Sequence, residues 1–184
     1  MPTYVAMLRG INVGGHHRVT MDRLRESFAS LGLKNLQTYI QSGNLVFQAA
    51  RASPSTLRQK MEEKFAADFG FPSLVILRTQ EELAQAIAAN PFLKPSGSEI
   101  DHGKMHVIFL SAPPAADVLK QLQGFTKAPD QSFCAGQEIY VHVPNGFARS
   151  SLANNPIERK FLAQSTTRNW RTVNTLHQMC LDCR

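Results

Sequence analysis

The stretch YVAMLRGINVGGHHR, from Tyr4 to Arg18, determines how the fold begins and is the most informative part of the chain. Its apolar run, Tyr4–Leu8, predicts a β-strand, and a glycine-rich turn follows. A helix is expected next, because Thr20 can act as its N-cap. Apolar residues then recur at steps of three and four, at Met21, Leu24, Phe28 and Leu31. The stretch therefore predicts a strand, a polar glycine loop and a helix.

The remainder of the first half contains a hairpin, a second helix and a third apolar strand. The hairpin consists of Leu36–Ile40 and Leu45–Phe47 around the turn Gln41–Asn44, whose glycine suits a positive φ. Ser53-Pro54 has the pattern of an N-cap and first helical residue. The continuous apolar run Leu74–Leu77 indicates a buried strand. The order β-α-β-β-α-β is that of the split β-α-β, or ferredoxin-like, fold.

The second half shows a similar but less complete order. We expect a strand at Met105–Leu110, a helix at Ala115–Gln123 and a hairpin around Ala135-Gly136. A short helix near Pro156 and a last helix capped by Thr166-Thr167 follow, so a helix occupies the place of the sixth strand. The predicted fold class is α+β, with two ferredoxin-like (split β-α-β) halves in tandem, residues 1–78 and 79–184. The second half is expected to be incomplete and to end in helices.

The last helix carries the chain's single tryptophan. Trp170 and Val173 are three residues apart, which places them on one face of a helix. We therefore expect both side chains to pack inward.

Length and composition limit the class of protein. The 184 residues, 43% of them hydrophobic, suffice for one domain or two small ones with a packed core. No apolar run approaches the ~20 residues that span a bilayer, and the N-terminus has no signal-peptide pattern, which predicts a cytoplasmic protein without membrane contact. The net charge of +6 favours anionic partners, although a modest positive excess also serves solubility. The sequence does not indicate the oligomeric state.

Three cysteines, Cys134, Cys180 and Cys183, argue against a disulfide framework because their number is odd. Cys180, Cys183 and His177 could supply three metal ligands, but a structural zinc site requires four. A redox C-x-x-C normally begins a helix, whereas this one closes the chain. We therefore predict reduced thiols and no metal site.

The glycine loop is the first candidate binding site. Gly10 and Gly15 have the outer spacing of a P-loop, but histidines follow where that motif has Lys and Ser/Thr. The dinucleotide fingerprint also fails, because Asn12 stands at its second glycine. What remains is a loop able to hold an oxyanion with backbone N–H groups and polar side chains. Its candidate ligand-binding residues are Arg9, Gly10, Asn12, Gly14, Gly15, His16 and Arg18. The alternative is a connection whose glycines serve only the backbone.

Two further motifs add candidate ligand-binding residues. The hairpin turn contributes Ser42 and Asn44, although turn formation alone also explains this pattern. The start of the last helix contributes Arg168 and Asn169, which could offer a guanidinium and N–H groups to an anion. We expect the glycine loop and Thr167–Asn169 to line one shared anionic site, since each is small by itself. The alternative is that each motif only caps its own element.

Three segments carry a resemblance to a known family. YVAMLRGINVGG (residues 4–15), QTYIQSGNLVF (37–47) and TTRNWRTVNTL (166–176) resemble members of the domain of unknown function 1697 family, in the same order. The resemblance covers Thr3 to about Leu176 and implies an α+β fold with ferredoxin-like halves. It implies no substrate or catalytic residue. Where a lysine or similar residue is expected after Gly15 this chain has His16-His17, which would make a cationic contact there pH-dependent.

Three classes of function remain open. The favoured one is binding of a small anionic ligand, for example a phosphorylated one, with no cofactor and no reaction indicated. Whether the protein is an enzyme stays open, because no nucleophile–base pair or carboxylate pair is recognisable. The second is a nucleic-acid-binding module using its sheet, although the third strand, Asn44–Phe47, offers one aromatic residue and no cation. The third is a protein-interaction module.

Overall fold

The computed structural model describes residues 1–15, 17–50, 53–93, 100–152 and 164–183. In this part of the chain the architecture is mixed α+β, with two four-stranded antiparallel sheets and five helices. The strands are β1 (Thr3–Leu8), β2 (Lys34–Tyr39), β3 (Asn44–Gln48), β4 (Val75–Thr79), β5 (Met105–Leu110), β6 (Gln131–Ala135), β7 (Glu138–His142) and β8 (Ser165–Asn169). The helices are α1 (Met21–Ala29), α2 (Pro54–Phe69), α3 (Gln80–Ala88), α4 (Ala116–Phe125) and α5 (Trp170–Asp182).

The chain divides into two compact units. Unit 1 comprises Met1–Ala84 and Thr175–Arg184, and unit 2 comprises Gln85–Asn174. The unit boundaries fall inside α3 and inside α5. The sequence-based division into residues 1–78 and 79–184 stays a prediction. None of the helices in the described residues is long and apolar enough to cross a bilayer.

Local sequence signals define the helices of unit 1. The Thr20 side chain accepts a hydrogen bond from the Arg23 N–H at the start of α1. Ser53 does the same for α2, with Pro54 at its first position, and Gly70 ends that helix in the left-handed conformation. Thr79 and Glu82 form a reciprocal capping box at the start of α3. The helix starts predicted at Thr20 and at Ser53-Pro54 are therefore confirmed.

The sheet of unit 1 has the strand order β2-β3-β1-β4. Alternate residues of β1, Tyr4, Ala6 and Leu8, belong to a core that also contains Leu24 and Phe28 of α1 and Leu57, Met61 and Phe65 of α2. The intervening residues Val5 and Met7 are fully buried as well. β1 is thus buried on both of its faces, which suits the central strand of a sheet.

The sheet of unit 2 has the equivalent order, β6-β7-β5-β8. Its last strand corrects a prediction. Ser165–Asn169 is a strand that pairs antiparallel with His106–Leu110, so the sixth element is a strand, and the expected incomplete half ending in helices is wrong on this point. Polar residues are compatible with β8 because the ladder satisfies their backbone and threonine favours strands. The short helix predicted near Pro156 lies outside the described residues.

The start of the last helix also differs from the prediction. The Thr172 N–H donates to Asn169 Oδ1 over 2.8 Å, so Asn169 rather than Thr167 caps α5. The expectation that Trp170 and Val173 pack inward is confirmed, because both side chains are buried.

We predict that truncating Trp170 to Ala lowers the free energy of unfolding by about 3–5 kcal/mol, since a large buried side chain is removed. Chemical denaturation measures this change. Leu181→Ala on the same helix is the matched control, because Leu181 is exposed, and it should cost about 0.5 kcal/mol or less. A loss below about 1 kcal/mol for Trp170→Ala would contradict a core role.

Candidate functional site

The glycine loop begins where β1 ends. The Leu8 N–H donates to the Gly43 carbonyl over 2.8 Å, and the Arg9 N–H donates to the Leu74 carbonyl over 2.9 Å. The Ser73 hydroxyl in turn donates to the Arg9 carbonyl over 2.9 Å. The backbone at the start of the loop is therefore bound both to the β2–β3 hairpin and to the segment that leads into β4.

The loop backbone is left-handed at five described positions: Gly10, Asn12, Gly14, Gly15 and His17. A Cβ placed on any of the three glycines would meet no atom within 4 Å, so their conformation, and not crowding, requires glycine. Among the described residues, no group accepts a hydrogen bond from the N–H of Gly10, Gly14 or Gly15. The three glycines thus form an open backbone surface with available donors.

Asn12 holds the loop in shape. Its Nδ2 donates to the carbonyls of Val19 and Gln41, over 2.8 and 2.7 Å, and its Oδ1 accepts from the Val19 N–H over 2.8 Å. Both amide hydrogens are therefore committed within the protein. The backbone N–H of Asn12 closes the loop by donating to the His17 carbonyl over 3.1 Å. Asn12 positions the loop, and the ligand contact proposed for it from sequence stays a prediction.

The hairpin turn packs directly against this loop. A Cβ on Gly43 would lie 2.6 Å from Ile11 Cδ1 and 2.9 Å from Leu8 Cβ, so only glycine fits. Asn44 is fully buried, and its Nδ2 donates to the Tyr39 carbonyl and to Ser42 Oγ, over 3.1 and 2.8 Å. The structure thus brings two of the three sequence motifs together within unit 1, with Asn44 supporting the turn and Ser42 partly exposed.

The cationic candidates of the loop differ in exposure. Arg18 is exposed, whereas Arg9 is half-buried and burial lowers the pKa of its guanidinium. His17 stacks on Phe71, with ring centroids 4.1 Å apart. His16 lies outside the described residues. Arg18 is therefore the loop cation best placed to meet a ligand from solvent.

Arg168 occupies a different kind of position. It lies inside β8 and is 7% exposed, and its guanidinium donates to Thr166 Oγ1 and to the Thr167 carbonyl. Burial lowers its pKa to about 10, so it stays charged at neutral pH. In unit 1, Arg78 lies at the corresponding place: Arg78 pairs with Val5 as Arg168 pairs with Val107. Arg78 is equally buried and likewise donates to the carbonyl of the preceding residue.

The similarity between Arg168 and Arg78 suggests a structural role for Arg168, although the sequence predicts ligand contacts for Arg168 and Asn169. Arg168 repeats a feature of the other sheet, and the Asn169 side chain caps α5. The described contacts of both residues are those of a scaffold. The shared site that the sequence suggested for the loop and Thr167–Asn169 stays a prediction.

Grooves also lie outside the glycine loop, and one in unit 1 is lined by the cations Arg23 and Lys64 together with the carboxylates Glu26 and Asp68. A groove of about 360 Å³ in unit 2 is mostly apolar and is lined by Leu110, Ser111, Ala112, Pro113, Pro114, Val118 and Gln164. No group of three or more His, Cys, Asp or Glu side chains in the described residues could hold a metal ion. The three cysteines are unpaired, and burial raises the pKa of Cys180 to about 12, so its thiol stays protonated.

Comparison with known proteins agrees with the sequence resemblance. The model of a protein family of unknown function (DUF1697) matches residues 1–140. The chain belongs to this family. No curated protein matches it. The solved structure of the conserved bacterial protein SP0830 from Streptococcus pneumoniae is similar to it, with a TM-score of 0.80 and 22% sequence identity over 98% of this chain and 99% of that chain. At this identity the likeness concerns the fold.

Two features of this family member's loop region were missed by sequence reasoning. Ile40 was assigned to the strand, yet it has a left-handed backbone with φ of 49°. The packing of Gly43 on Ile11 is the other, because it joins positions 32 residues apart in the chain. The only sequence signal for either is the Gln-Ser-Gly-Asn turn itself, which predicts a bend without its partner.

We predict that Gly43→Ala destabilises the protein by more than about 2 kcal/mol, since it combines a strained φ with a steric clash. Gly70→Ala is the matched control: Gly70 has a similar φ, but a Cβ there meets no atom within 4 Å. It should cost about 1 kcal/mol. If both variants lose the same free energy of unfolding, the Ile11 side chain moves away from the new methyl group without an energetic penalty, and the predicted clash is wrong.

We predict that Arg168→Ala costs about 2 kcal/mol or more of stability, because it leaves buried acceptors and a cavity. Arg149→Ala, at an exposed arginine of the same unit, should change stability by about 0.5 kcal/mol or less. Thermal unfolding with parallel anion titration separates the roles. An Arg168 variant of unchanged stability that no longer binds anions would instead support the ligand contact predicted from sequence.

Proposed function

We propose that the loop from Gly10 to Arg18 in unit 1 binds a small anionic ligand, such as a phosphorylated or carboxylated compound. The proposed contacts are the N–H groups of Gly10, Gly14 and Gly15 and the side chains of Arg18, Arg9 and Ser42. His16 stays among the candidates from sequence. Asn12 and Asn44 act as the residues that hold the loop and the turn in position.

A comparison of the two strand-to-helix connections carries this proposal. In unit 2 the chain passes from β5 to α4 through five residues, Ser111–Ala115. In unit 1 the corresponding connection from β1 to α1 takes twelve residues, Arg9–Thr20. Five residues suffice for the fold, so the longer loop with its left-handed backbone requires another reason. Rigid scaffolds commonly carry their functional groups on such loops.

The chemistry of the loop favours an anion over a neutral or cationic ligand. Backbone N–H groups that a glycine-rich turn leaves exposed can donate hydrogen bonds to an anion. The N-terminus of α1, a helix of nine residues, follows at Thr20 and adds its positive dipole end. An exposed guanidinium at Arg18 can then make a charge-assisted hydrogen bond. A net charge of +6 points in the same direction.

We also infer that each half is a split β-α-β, ferredoxin-like unit. The equivalent strand orders β2-β3-β1-β4 and β6-β7-β5-β8 support this inference. A cytoplasmic location stays part of the proposal and rests on the sequence alone.

The nucleic-acid alternative receives no support from the sheets. Stacking of bases on a ferredoxin-like sheet requires exposed aromatic side chains on its central strands. In unit 1, Tyr4 of β1 and Phe47 of β3 are buried, and in unit 2 Phe109 and Tyr140 are buried. The protein-interaction alternative stays a prediction, as does any catalytic activity.

The test is titration of the protein with inorganic phosphate at low salt, followed by calorimetry or NMR. We predict that Arg18→Gln weakens binding about tenfold or more, because a hydrogen bond to a charged group contributes about 1.5–3 kcal/mol. The melting temperature should stay within about 1 °C, since Arg18 is exposed. Arg149→Gln in unit 2 is the control and should bind as the wild type does. Equal affinities in both variants would refute the proposal, as would a wild type that binds neither phosphate nor an organic phosphate or carboxylate.

A further inference from the structure

We infer that the ligand of the glycine loop carries an apolar group beside its anionic group, and that Val13 and Ile40 contact this apolar group. The inference rests on the proposed function and narrows its ligand class to organic phosphates or carboxylates with an aromatic or branched aliphatic substituent. It makes Val13 and Ile40 specificity-determining residues.

The first observation is the exposure of these two side chains. Val13 is 66% exposed and Ile40 is 49% exposed. Val13 lies between Asn12 and Gly14 in the loop. Its neighbours in the sequence are polar residues and glycines, so the exposed Val13 side chain does not contribute to an apolar core. A single exposed apolar residue is ordinary, but here one lies in the loop and the other lies beside the hairpin turn that packs against the loop.

The second observation is the backbone of Ile40. Among the described residues the other non-glycine positions with positive φ are Asn12, His17 and Asn35, residue types that tolerate this conformation. A β-branched residue there is a genuine outlier and is strained. Burial does not offset the strain, because half of the side chain is exposed. Strained residues cluster at functional sites. Because burial does not compensate the strain of Ile40, we assign this residue a role in ligand recognition.

The third observation places the two residues together. Asn12 Nδ2 donates to the Gln41 carbonyl over 2.7 Å, which joins the residue before Val13 to the residue after Ile40. Gly43 packs on Ile11 and holds the same two segments in contact. Val13 and Ile40 therefore lie on neighbouring backbone segments, and Val13 directly precedes two of the open glycines.

The occupant is defined by both kinds of group. Arg18, Arg9 and the N–H groups of the glycines favour a negatively charged group. Val13 and Ile40 gain only from an apolar group that removes them from water. A free inorganic anion would use the first set alone, whereas a phenyl or branched alkyl ester would use both. Phosphate and carboxylate share this chemistry, and the experiment distinguishes them.

The experiment compares two pairs of probes: inorganic phosphate with phenyl phosphate, and acetate with benzoate. Each is titrated into the wild type, Ile40→Asn, Val13→Thr and the control Phe133→Ser, which alters a half-exposed apolar residue of unit 2. Melting temperatures are measured in parallel. Asparagine is chosen at position 40 because it adopts a positive φ at little cost.

We predict that the wild type binds the aromatic member of one pair at least about tenfold more tightly than its partner. Ile40→Asn and Val13→Thr should each reduce this ratio several-fold and leave the affinity for the inorganic anion or acetate unchanged. Ile40→Asn should also raise the melting temperature by about 2 °C, since strain is relieved. Phe133→Ser should not change the ratio. The pair that shows the preference identifies the anionic group.

The inference fails if each pair binds with equal affinity to the wild type, or if the preference survives Ile40→Asn and Val13→Thr. In those cases the proposed anionic site is still supported if Arg18→Gln weakens binding of the probes. If no probe binds, both the anionic site and this inference are refuted.

Discussion

The central strand of each sheet is buried on both faces, and the backbone groups at its end must still find partners. In unit 1 the N–H groups of Leu8 and Arg9 reach the carbonyls of Gly43 and Leu74. In unit 2 those of Leu110 and Ser111 reach Gln137 and Gln164 in the same way, each over 2.9 Å. Because buried backbone donors are rarely left unpaired, this constraint fixes where each connection begins. Any residues beyond those needed to reach the next helix must then project outward.

The glycine loop is such a projection, and few apolar contacts hold it. Ile11 and Val19 are buried at its two ends, and the Asn12 amide joins them to the hairpin turn. A loop held by side-chain hydrogen bonds can keep its glycines uncovered, whereas one held by packing would cover them. The left-handed conformations cost conformational entropy and, outside glycine, strain. That cost is concentrated on one surface, where a ligand could offset it.

The sequence predicted those parts of the structure that depend on neighbouring residues. The caps at Thr20 and Ser53 were correct because each is made by a side chain and a backbone group a few residues away. The strand β8 was missed because Thr166–Asn169 is polar and its pairing partner, β5, lies about 60 residues earlier. The threonines of β8 are compatible with both a helix cap and a strand. The backbone pairing of β8 with β5 determines that this segment is a strand.

The candidate site shows the same division between local and non-local chemistry. The glycines could be read from the sequence, since a run of them after a strand demands a turn. The commitment of both Asn12 amide hydrogens could not, because one acceptor belongs to Gln41 in another element. Ile40 was placed in the strand by its side chain, which favours strands. Its left-handed backbone, with φ of 49°, runs against that preference and could not be predicted from the side chain.

The two arginines show why polarity in a sequence motif is an incomplete guide to a site. Arg168 lies in a polar segment, and the sequence therefore predicts a ligand contact for it. Arg78, however, occupies the same register in the other sheet, with the same burial and the same type of hydrogen bond. A feature that recurs in both units is explained by what the units share, which is the sheet. The glycine loop occurs in unit 1, whereas the connection of unit 2 is five residues long. A feature that differs between two sheets of equivalent strand order is not required by that strand order, and on this ground the loop is the stronger candidate for function.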